Sequence, residues 1–210
     1  MRDKPTLLQE LQHRVANSLQ IISSILLQSA RKVQSEESRS HLYSAHNRLQ
    51  SIANVQKQLS ETGQPSVALR SYFTDLCRSI GDSIIHDSEQ ISIRVAVDDS
   101  VADGDTSVSL GLIVTDLMIN ALKHAFPGQR KGRIVVNYHA MDREWTLSVS
   151  DNGVGMPKDV ENHKPGLGTG IIEALAKQLD ARIDVTDSAP GTLVSLNARP
   201  VASKPILRAV

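Results

Sequence analysis

Cysteine and aromatic residues are scarce in this chain, and each shortage narrows the classes of protein to which it can belong. Cys77 is the single cysteine among 210 residues, so no disulfide can form within the chain, as is typical of a reducing compartment. It lies in an apolar helical pattern, which favours a buried structural thiol over a nucleophile. Aromatic residues make up 3% of the chain, too few for a stacking platform that binds single-stranded nucleic acid.

Neither sign of charge predominates, because 23 Lys and Arg residues balance 23 Asp and Glu residues. The sequence therefore offers no overall field that would favour nucleic acid or an anionic membrane as a partner. No run of about 18 apolar residues predicts a membrane span, and the first eight residues, MRDKPTLL, lack the apolar core of a signal peptide. We expect a cytoplasmic protein with no nucleic-acid partner and no membrane insertion of this chain.

A long amphipathic helix is predicted from about residue 6 to residue 32. Its apolar residues recur at steps of three and four, the spacing of one helix face: Leu8, Leu11, Val15, Leu19, Ile22 and Leu26. At about 100° per residue, His13 lies roughly 170° from the middle of that stripe. Glu10 and Asn17 are its neighbours on the polar face. Such a position is ordinarily a solvated surface histidine, so a chemical role needs support from the rest of the chain.

A second helix follows a polar break, and the two together predict an antiparallel hairpin. Ser35 precedes two acidic residues, an arrangement typical of a helix start, and Gly63 and Pro65 are stop signals. The apolar positions again follow steps of three and four: Leu42, Ala45, Leu49, Ile52 and Leu59. A hairpin of two helices alone offers too few residues to bury its apolar stripes. We therefore expect a homodimer through residues 6–61 that forms a four-helix bundle.

Helices alternate with antiparallel-type strands in the second half of the chain. Helical patterns cover residues 68–84, 106–126 and the segment that follows residue 166, and strand patterns cover residues 90–98, 132–140, 144–152 and 182–199. The prediction is an α+β protein, with a helical hairpin over residues 1–62, a two-layer α/β sandwich over residues 66–200 and a tail over residues 201–210.

One segment of the sandwich, DLMINALKHAF over residues 116–126, places four polar side chains on one helix face. Asp116, Asn120, Lys123 and His124 stand at positions i, i+4, i+7 and i+8. A carboxylate and an amide oxygen suit a divalent cation, and a lysine beside them suits phosphate. Taken alone, a solvated helix face explains the pattern equally well.

Two glycine-rich segments follow. In DNGVGMP, residues 151–157, the glycines let the backbone turn sharply and approach a ligand, and Asp151 ends a strand where a carboxylate can accept a hydrogen bond. GLGTG, residues 166–170, opens a helix, which is a favourable place for phosphate. It lacks the Lys-Ser/Thr of a P-loop and a strand leading directly into it, so we interpret it as a lid.

In this order and spacing, the three segments resemble the N, G1 and G2 boxes of the ATP-binding domain of histidine kinases, a fold of the GHKL or Bergerat type. The segment ELQHRVANSLQ, residues 10–20, resembles the phosphoacceptor box of the subgroup in which Arg follows the histidine. That subgroup is related to the HWE kinases, although their Trp-x-Glu signature is absent here. Each box is weak alone, but four in order over about residues 6–198 form a strong resemblance.

The resemblance implies a sensor histidine kinase core that autophosphorylates His13 from Mg-ATP. The phosphoryl group would then pass to an aspartate of a response-regulator receiver in two-component signalling. Asn120 would hold Mg²⁺, Asp116 would stand at the catalytic position where the family normally has Glu, and the phosphates would meet Lys123 and His124. A separate sensor domain or protein would be a further partner.

The same resemblance implies an adenine pocket and a lid. Asp151 would bind the adenine amino group in a pocket shaped by Gly153 and Gly155, and Thr192 would contact adenine from the strand behind it. The lid residues would be Gly166, Leu167, Gly168 and Gly170.

The chain departs from the family pattern near both sites. Asp116 is one methylene shorter than Glu, which could loosen the positioning of metal or water. In the phosphoacceptor box, Ala16 and Ser18 stand where Lys and Asn are expected. Glu10, one turn before His13, is our hypothesis for the catalytic group that orients the imidazole.

Two other functions fit the same residues. An ATP-independent histidine phosphotransfer protein of the same architecture would receive its phosphoryl group from another kinase, although the intact glycine boxes argue against it. A non-enzymatic dimeric interaction module would bind no nucleotide. The histidines show no zinc-type spacing.

Overall fold

The computed structural model describes residues 4–85, 90–142, 144–156 and 167–198, with the backbone alone for residues 4–8, 129 and 167–169. Its elements, in chain order, are α1 (Lys4–Lys32), α2 (Glu36–Thr62), β1 (Ser66–Ala68), α3 (Leu69–Ile84), β2 (Ile91–Val97), β3 (Val101–Asp103), α4 (Gly104–His124), a 3₁₀ turn (Pro127–Gln129), β4 (Gly132–Met141), β5 (Glu144–Asp151), α5 (Leu167–Gln178), β6 (Ala181–Asp187) and β7 (Thr192–Ala198).

The first two helices form the predicted hairpin. At the start of α2, the Ser35 hydroxyl accepts a hydrogen bond from the Ser38 amide at 3.3 Å. At its end, Gly63 adopts φ 63°, a left-handed conformation that glycine takes without a steric penalty. Small side chains let the helices approach each other. α1 packs against α2, and from residue 9 onward, where its side chains are described, the buried ones are Ala16, Ser23 and Ala30.

The sandwich contains a five-stranded mixed sheet in the order β2-β4-β5-β7-β6. Four of these strands pair antiparallel, but β2 pairs parallel with β4, with Ile91 opposite Gly132 and Val97 opposite Tyr138. The expectation of antiparallel-type strands throughout is therefore wrong at this edge. The physical reason is the long crossover through α4, which returns the chain to the same end of the sheet before β4 begins.

A second, two-stranded sheet was not predicted. β1 pairs antiparallel with β3, with Ser66 opposite Asp103 and Ala68 opposite Val101. Strands of three residues carry too little alternation to be recognised from sequence. This small sheet joins the start of α3 to the start of α4.

Helix α4 lies at the centre of the fold. Its buried side chains, such as Ile113 and Met118, share one core with Ile134, Val136 and Leu147 of the large sheet. By length and composition α4 could cross a membrane, since its most apolar 18-residue window has a mean hydropathy of 1.2, but 72% of that window is buried inside the protein. Its apolar character is accounted for by this core position.

The hairpin packs on the sandwich through α2, which runs antiparallel to α4. Leu59, near the end of α2, meets Gly104 at the start of α4, where an added Cβ would lie 2.9 Å from Leu59 Cδ1. Ser51, eight residues earlier in α2, lies against Gly111, where an added Cβ would lie 2.7 Å from Ser51 Oγ. We call this contact the α2–α4 seam.

Candidate functional site

Asp116 lies within the α2–α4 seam, and its carboxylate is held by an arginine of α2. Arg48 donates from Nε to Oδ1 at 2.9 Å and from Nη2 to Oδ2 at 3.0 Å, the two-pronged geometry that makes Arg–carboxylate pairs strong. The side chain of Asp116 is 4% exposed and that of Arg48 is 26% exposed. The loss of either partner would leave a shielded charge without compensation.

Lys123, two turns further along α4, also bonds to α2. Its ammonium donates to the hydroxyls of Ser40, at 2.5 Å, and Ser44, at 3.4 Å. Partial burial, together with the nearby charge of Arg48, lowers the pKa of Lys123, while the carboxylate of Asp116 acts in the opposite direction. The phosphate-binding lysine of the prediction is thus hydrogen-bonded to hydroxyls of the hairpin.

The remaining polar residues of this α4 face are turned toward solvent. Asn120 and His124 are exposed, whereas Asp116 and Lys123 contact α2. The predicted grouping on one helix therefore holds, but the structure divides the group between the seam and the surface.

Asp151 ends β5, and two backbone amides orient its carboxylate. Oδ1 accepts hydrogen bonds from the amides of Gly153 at 2.9 Å and Thr192 at 3.3 Å. Among the residues that the structure describes, Oδ2 takes part in no hydrogen bond, so this oxygen can accept one from a ligand amino group. The side chain is therefore fixed with one oxygen available.

Two glycines around Asp151 permit close approaches of the backbone. An added Cβ at Gly153 would lie 2.3 Å from the Ala125 carbonyl oxygen, and one at Gly191, where φ is 104°, would lie 1.9 Å from the Asp151 carbonyl oxygen. Both distances exclude a larger residue without a backbone shift. Gly155 has φ 78°, which also favours glycine.

The predicted lid lies partly outside the described residues. Gly166 is among the residues that are not described. The backbones of Leu167 and Gly168 form the start of α5, and Gly170 is exposed with open space around it. Because α5 packs against α4, the start of α5 is held on the same side of the sandwich as α4.

His13 is exposed on α1, as the helical arithmetic predicts. The side-chain amide nitrogen of Asn17 lies 3.1 Å from its Nδ1. The hydrogen bond described for Glu10 goes from Arg14 to its carboxylate at 2.7 Å. Asn17, one turn after His13, is therefore the side chain for which the structure describes a hydrogen bond to the imidazole, and the role assigned to Glu10 stays a prediction.

Two family models match most of the chain. Residues 10–84 match the model described as "Histidine kinase", and residues 105–201 match the model described as "Histidine kinase-, DNA gyrase B-, and HSP90-like ATPase". The chain belongs to the histidine kinases. The first match continues beyond the hairpin through α3, whose buried side chains pack in the core of the sandwich.

Named relatives agree with this assignment. Sensor histidine kinase PdtaS of Mycobacterium tuberculosis is 29% identical over 188 residues, which cover 88% of this chain and 37% of the relative. Blue-light-activated histidine kinase 2 of Erythrobacter litoralis is 28% identical over 198 residues, which cover 90% of this chain and 56% of the relative. This histidine kinase chain thus spans 37–56% of the length of these two relatives.

A solved structure shares the fold. The histidine kinase domain of the EL346 blue-light activated histidine kinase from Erythrobacter litoralis superposes with a TM-score of 0.67 at 22% sequence identity. The match covers 85% of this chain and 95% of that one. The α+β architecture, with N-terminal helices followed by a GHKL-type sheet, is therefore confirmed.

In this histidine kinase, His13 and the polar residues of α4 lie at different heights along the axis of the hairpin. Ser23 of α1 bonds to His46 of α2 at 2.7 Å, and His13 precedes Ser23 by ten residues, about 15 Å along the axis. By the same rise, Arg48 lies roughly 12 Å and Ser40 roughly 24 Å from the level of His13. A phosphate held at Lys123 is therefore out of reach of His13 in the same chain.

Three residues that bond to the predicted site residues of α4, and that the sequence did not reveal, lie on α2. Arg48, Ser40 and Ser44 sit in a polar helical stretch that reads as a solvated face, and their partners in α4 are 68 to 83 residues away in the chain. The signal that could have found them is their spacing at steps of four, which matches a helix face meeting another helix.

Proposed function

We propose that this histidine kinase core transfers the γ-phosphoryl group of Mg-ATP to His13 and then to an aspartate of a response-regulator receiver. The observation that carries the proposal is the combination, in one chain, of an exposed imidazole on a packed helix and an Asp151 carboxylate fixed by two amides with one oxygen available. The first is a nucleophile accessible to a partner. The second is an acceptor for an amino group such as that of adenine.

The nucleotide lies, in this proposal, between α4, the end of β5 and the start of α5. The adenine amino group donates to Asp151, and Thr192 contacts the ring from β7. Gly153 and Gly155 keep one wall of the adenine pocket free of side chains. The phosphates extend toward Lys123 and His124 at the end of α4. The lid residues supply backbone amides at a helix start, where phosphate is favoured: Gly166, Leu167, Gly168 and Gly170.

The donor set on α4 fits Mg²⁺. Magnesium is commonly bound through one or two protein oxygens together with substrate phosphates and water, and Asn120 offers an exposed amide oxygen. Asp116 becomes a second oxygen donor when its carboxylate is released from Arg48. Bound Mg²⁺ would offset the negative charge of the phosphates.

The chemistry itself needs positioning more than special reactivity. A ring nitrogen of neutral His13 attacks the γ-phosphorus. A P–N bond forms while the bond from that phosphorus to the β,γ-bridging oxygen breaks, and ADP leaves with the electron pair. The imidazole proton passes to solvent. In the second step an aspartate oxygen of the receiver attacks the phosphorus, the P–N bond breaks and the imidazole takes back a proton.

The proposal includes a homodimer through residues 6–61. One face of α1 exposes large apolar side chains that the monomer leaves in water: Leu11, Val15, Ile21, Ile22 and Ile25, each between 46% and 63% exposed. A second copy would bury them in a four-helix bundle. A sensor region, in the same protein or in a separate one, would supply the input, and the cytoplasm would supply ATP and the receiver.

The test is incubation with γ-³²P-labelled ATP. Wild-type protein should incorporate acid-labile label, and His13→Gln should reduce it to below about a hundredth, since no other group replaces an absent nucleophile. The matched control is His41→Gln, because His41 is also exposed on the hairpin. It should label at the wild-type rate.

The other outcomes separate the alternatives. Protein that takes no label from ATP but accepts it on His13 from a phosphorylated receiver is an ATP-independent phosphotransfer protein. Protein that takes no label from either source, and whose melting temperature Mg-ATP does not raise, is a non-enzymatic dimeric module. Either result would overturn the proposed kinase activity.

A further inference from the structure

Two of the residues predicted to serve the phosphate end of ATP are bonded to the hairpin in this structure. Arg48 holds both carboxylate oxygens of Asp116, and Ser40 and Ser44 accept hydrogen bonds from Lys123. The three α2 residues stand at successive steps of four, so they form one stripe along the helix. We call this stripe the α2 latch.

The latch and the nucleotide compete for the same groups. Asp116 is 4% exposed beneath Arg48, which leaves no room for a hydrated cation to reach its carboxylate. Lys123 has three ammonium donors, and the latch hydroxyls accept from two of them. Binding of Mg-ATP with Asp116 in its predicted role therefore requires that its bonds to Arg48 break. At Lys123 the serine bonds leave one donor for phosphate, and breaking them frees all three.

The closed latch also holds the catalytic half where it cannot phosphorylate its own His13. The Ser40–Lys123 contact lies roughly 24 Å along the hairpin from the level of the imidazole, whereas reacting atoms must approach to about 3–3.5 Å. Opening the seam thus serves two purposes, because it frees the phosphate-binding groups and lets the ATP-binding half move.

We propose that Ser40, Ser44 and Arg48 form an autoinhibitory latch that competes with Mg-ATP for Asp116 and Lys123. The latch rests on the proposed function, because it regulates the same site. A ligand that binds the open state alone has its apparent affinity reduced by the fraction of protein that is closed. Weakening the latch should therefore tighten nucleotide binding and speed autophosphorylation.

The experiment compares two latch variants with wild type. Arg48→Ala removes the guanidinium that binds Asp116. The double variant Ser40→Ala/Ser44→Ala removes the hydroxyls that bind Lys123, while Asp116 keeps its partner Arg48. The control is Arg39→Ala, since Arg39 lies on the same helix and its hydrogen bonds go to Glu36 and the Val33 carbonyl. Binding of the ATP analogue AMP-PNP with Mg²⁺ is measured by titration calorimetry, and the initial rate of labelling by ATP is measured separately.

Arg48→Ala should bind Mg-AMP-PNP about fivefold more tightly or better, within the range of typical coupling between sites, and should label faster at subsaturating ATP. The serine variant should shift in the same direction by a smaller factor. Arg39→Ala should match wild type in both measurements. If loss of the ion pair prevents folding of Arg48→Ala, as judged by circular dichroism, the serine variant decides by the same criterion.

Results that contradict the latch can be distinguished from results that contradict the proposed function. Folded latch variants that bind and label as wild type does, or a slower Arg48→Ala with unchanged affinity, would show that α2 is not inhibitory while the kinase activity stands. If none of the proteins, wild type included, binds nucleotide, the proposed function fails and the latch fails with it.

Discussion

At the scale of single residues, the proposed function gives Asn17 the task of selecting which nitrogen of His13 acts as the nucleophile. A neutral imidazole carries its proton on one nitrogen and a lone pair on the other. Asn17 lies 3.1 Å from Nδ1, and its amide can turn either its NH₂ group or its oxygen toward the ring. The NH₂ group faces Nδ1 in this structure. When the amide is turned, its oxygen accepts from Nδ1–H and the lone pair lies outward on Nε2, where it can attack an incoming phosphorus.

Replacement of Asn17 should therefore affect the rate of transfer and leave nucleotide binding unchanged. Asn17→Ala should lower kcat for autophosphorylation about tenfold, because the ring loses its orientation, with KM for ATP unchanged. Asn17→Asp should stay within about threefold of wild type, since a carboxylate still accepts from Nδ1–H. Steady-state labelling over a range of ATP concentrations measures both constants. A parallel rise in KM, or equal losses in the two variants, would contradict the assignment.

Single residues also show where prediction from sequence stops. The exposure of His13 followed from the period of the helix, and the conformational demands at Gly153 and Gly155 followed from glycine chemistry at the end of a strand. The pairing of Arg48 with Asp116 could not be predicted, because the two residues are 68 positions apart and meet only through the packing of two helices. Local patterns carry no information about such a contact.

At the scale of elements, the edge of the large sheet is stabilised by a carboxylate that follows β2. Asp98 accepts hydrogen bonds from the amides of Ser100 at 3.0 Å and Ala140 at 2.7 Å, and His139 lies 3.3 Å away. Burial acts to raise the pKa of Asp98, but the hydrogen bonds, with the imidazole, outweigh it and hold the pKa below its usual range. This carboxylate joins the end of β2 to β4.

Asp98→Asn should lower stability at neutral pH, because one of the two amides would face an NH₂ group in place of an oxygen. We expect a loss of about 1 kcal/mol, limited by partial exposure, or about 2–4 °C in melting temperature. A lowered carboxyl pKa contributes stability above the unfolded-state pKa and loses it as pH falls through the folded-state value. The gap between wild type and variant should therefore be constant near pH 7 and shrink below about pH 4.

Thermal unfolding followed by circular dichroism between pH 3 and pH 8 measures this gap. Asp99→Asn is the matched control, because Asp99 is 85% exposed and pairs at the surface with Arg70. A gap that persists at low pH would show that the lost contact is not electrostatic.

The elements themselves were predicted with unequal success. Long helices and the β4–β5 hairpin carry many periodic positions, so their existence and approximate limits followed from the sequence. The direction of β2 did not, because the same alternation of Ile91, Ile93, Val95 and Val97 serves a parallel or an antiparallel neighbour. The short pair β1–β3 depends on where α3 and α4 begin, which is a tertiary property.

At the scale of the whole molecule, the hairpin presents different helices to different partners. α2 faces α4 of its own chain through the latch, while α1 leaves an apolar face uncovered and carries His13 on the other side. A dimer formed through that apolar face leaves the imidazole accessible. In the proposed function, the same hairpin holds two chains together while its polar face meets first a nucleotide and then a receiver.

A single charge on the apolar face of α1 should separate the two chains of the proposed dimer. Ile22 is 48% exposed in the monomer, so Ile22→Glu does not disturb the fold of one chain but places an unpaired carboxylate in the dimer contact, where desolvation is costly. Ser24 is exposed and lies about 200° around the helix from Ile22, so Ser24→Glu adds the same charge on the face that carries His13.

Light scattering after gel filtration should give twice the chain mass of 22.9 kDa for wild type and Ser24→Glu, and 22.9 kDa for Ile22→Glu. A monomeric wild type, or a dimer that persists in Ile22→Glu, would contradict the assignment of this face as the interface.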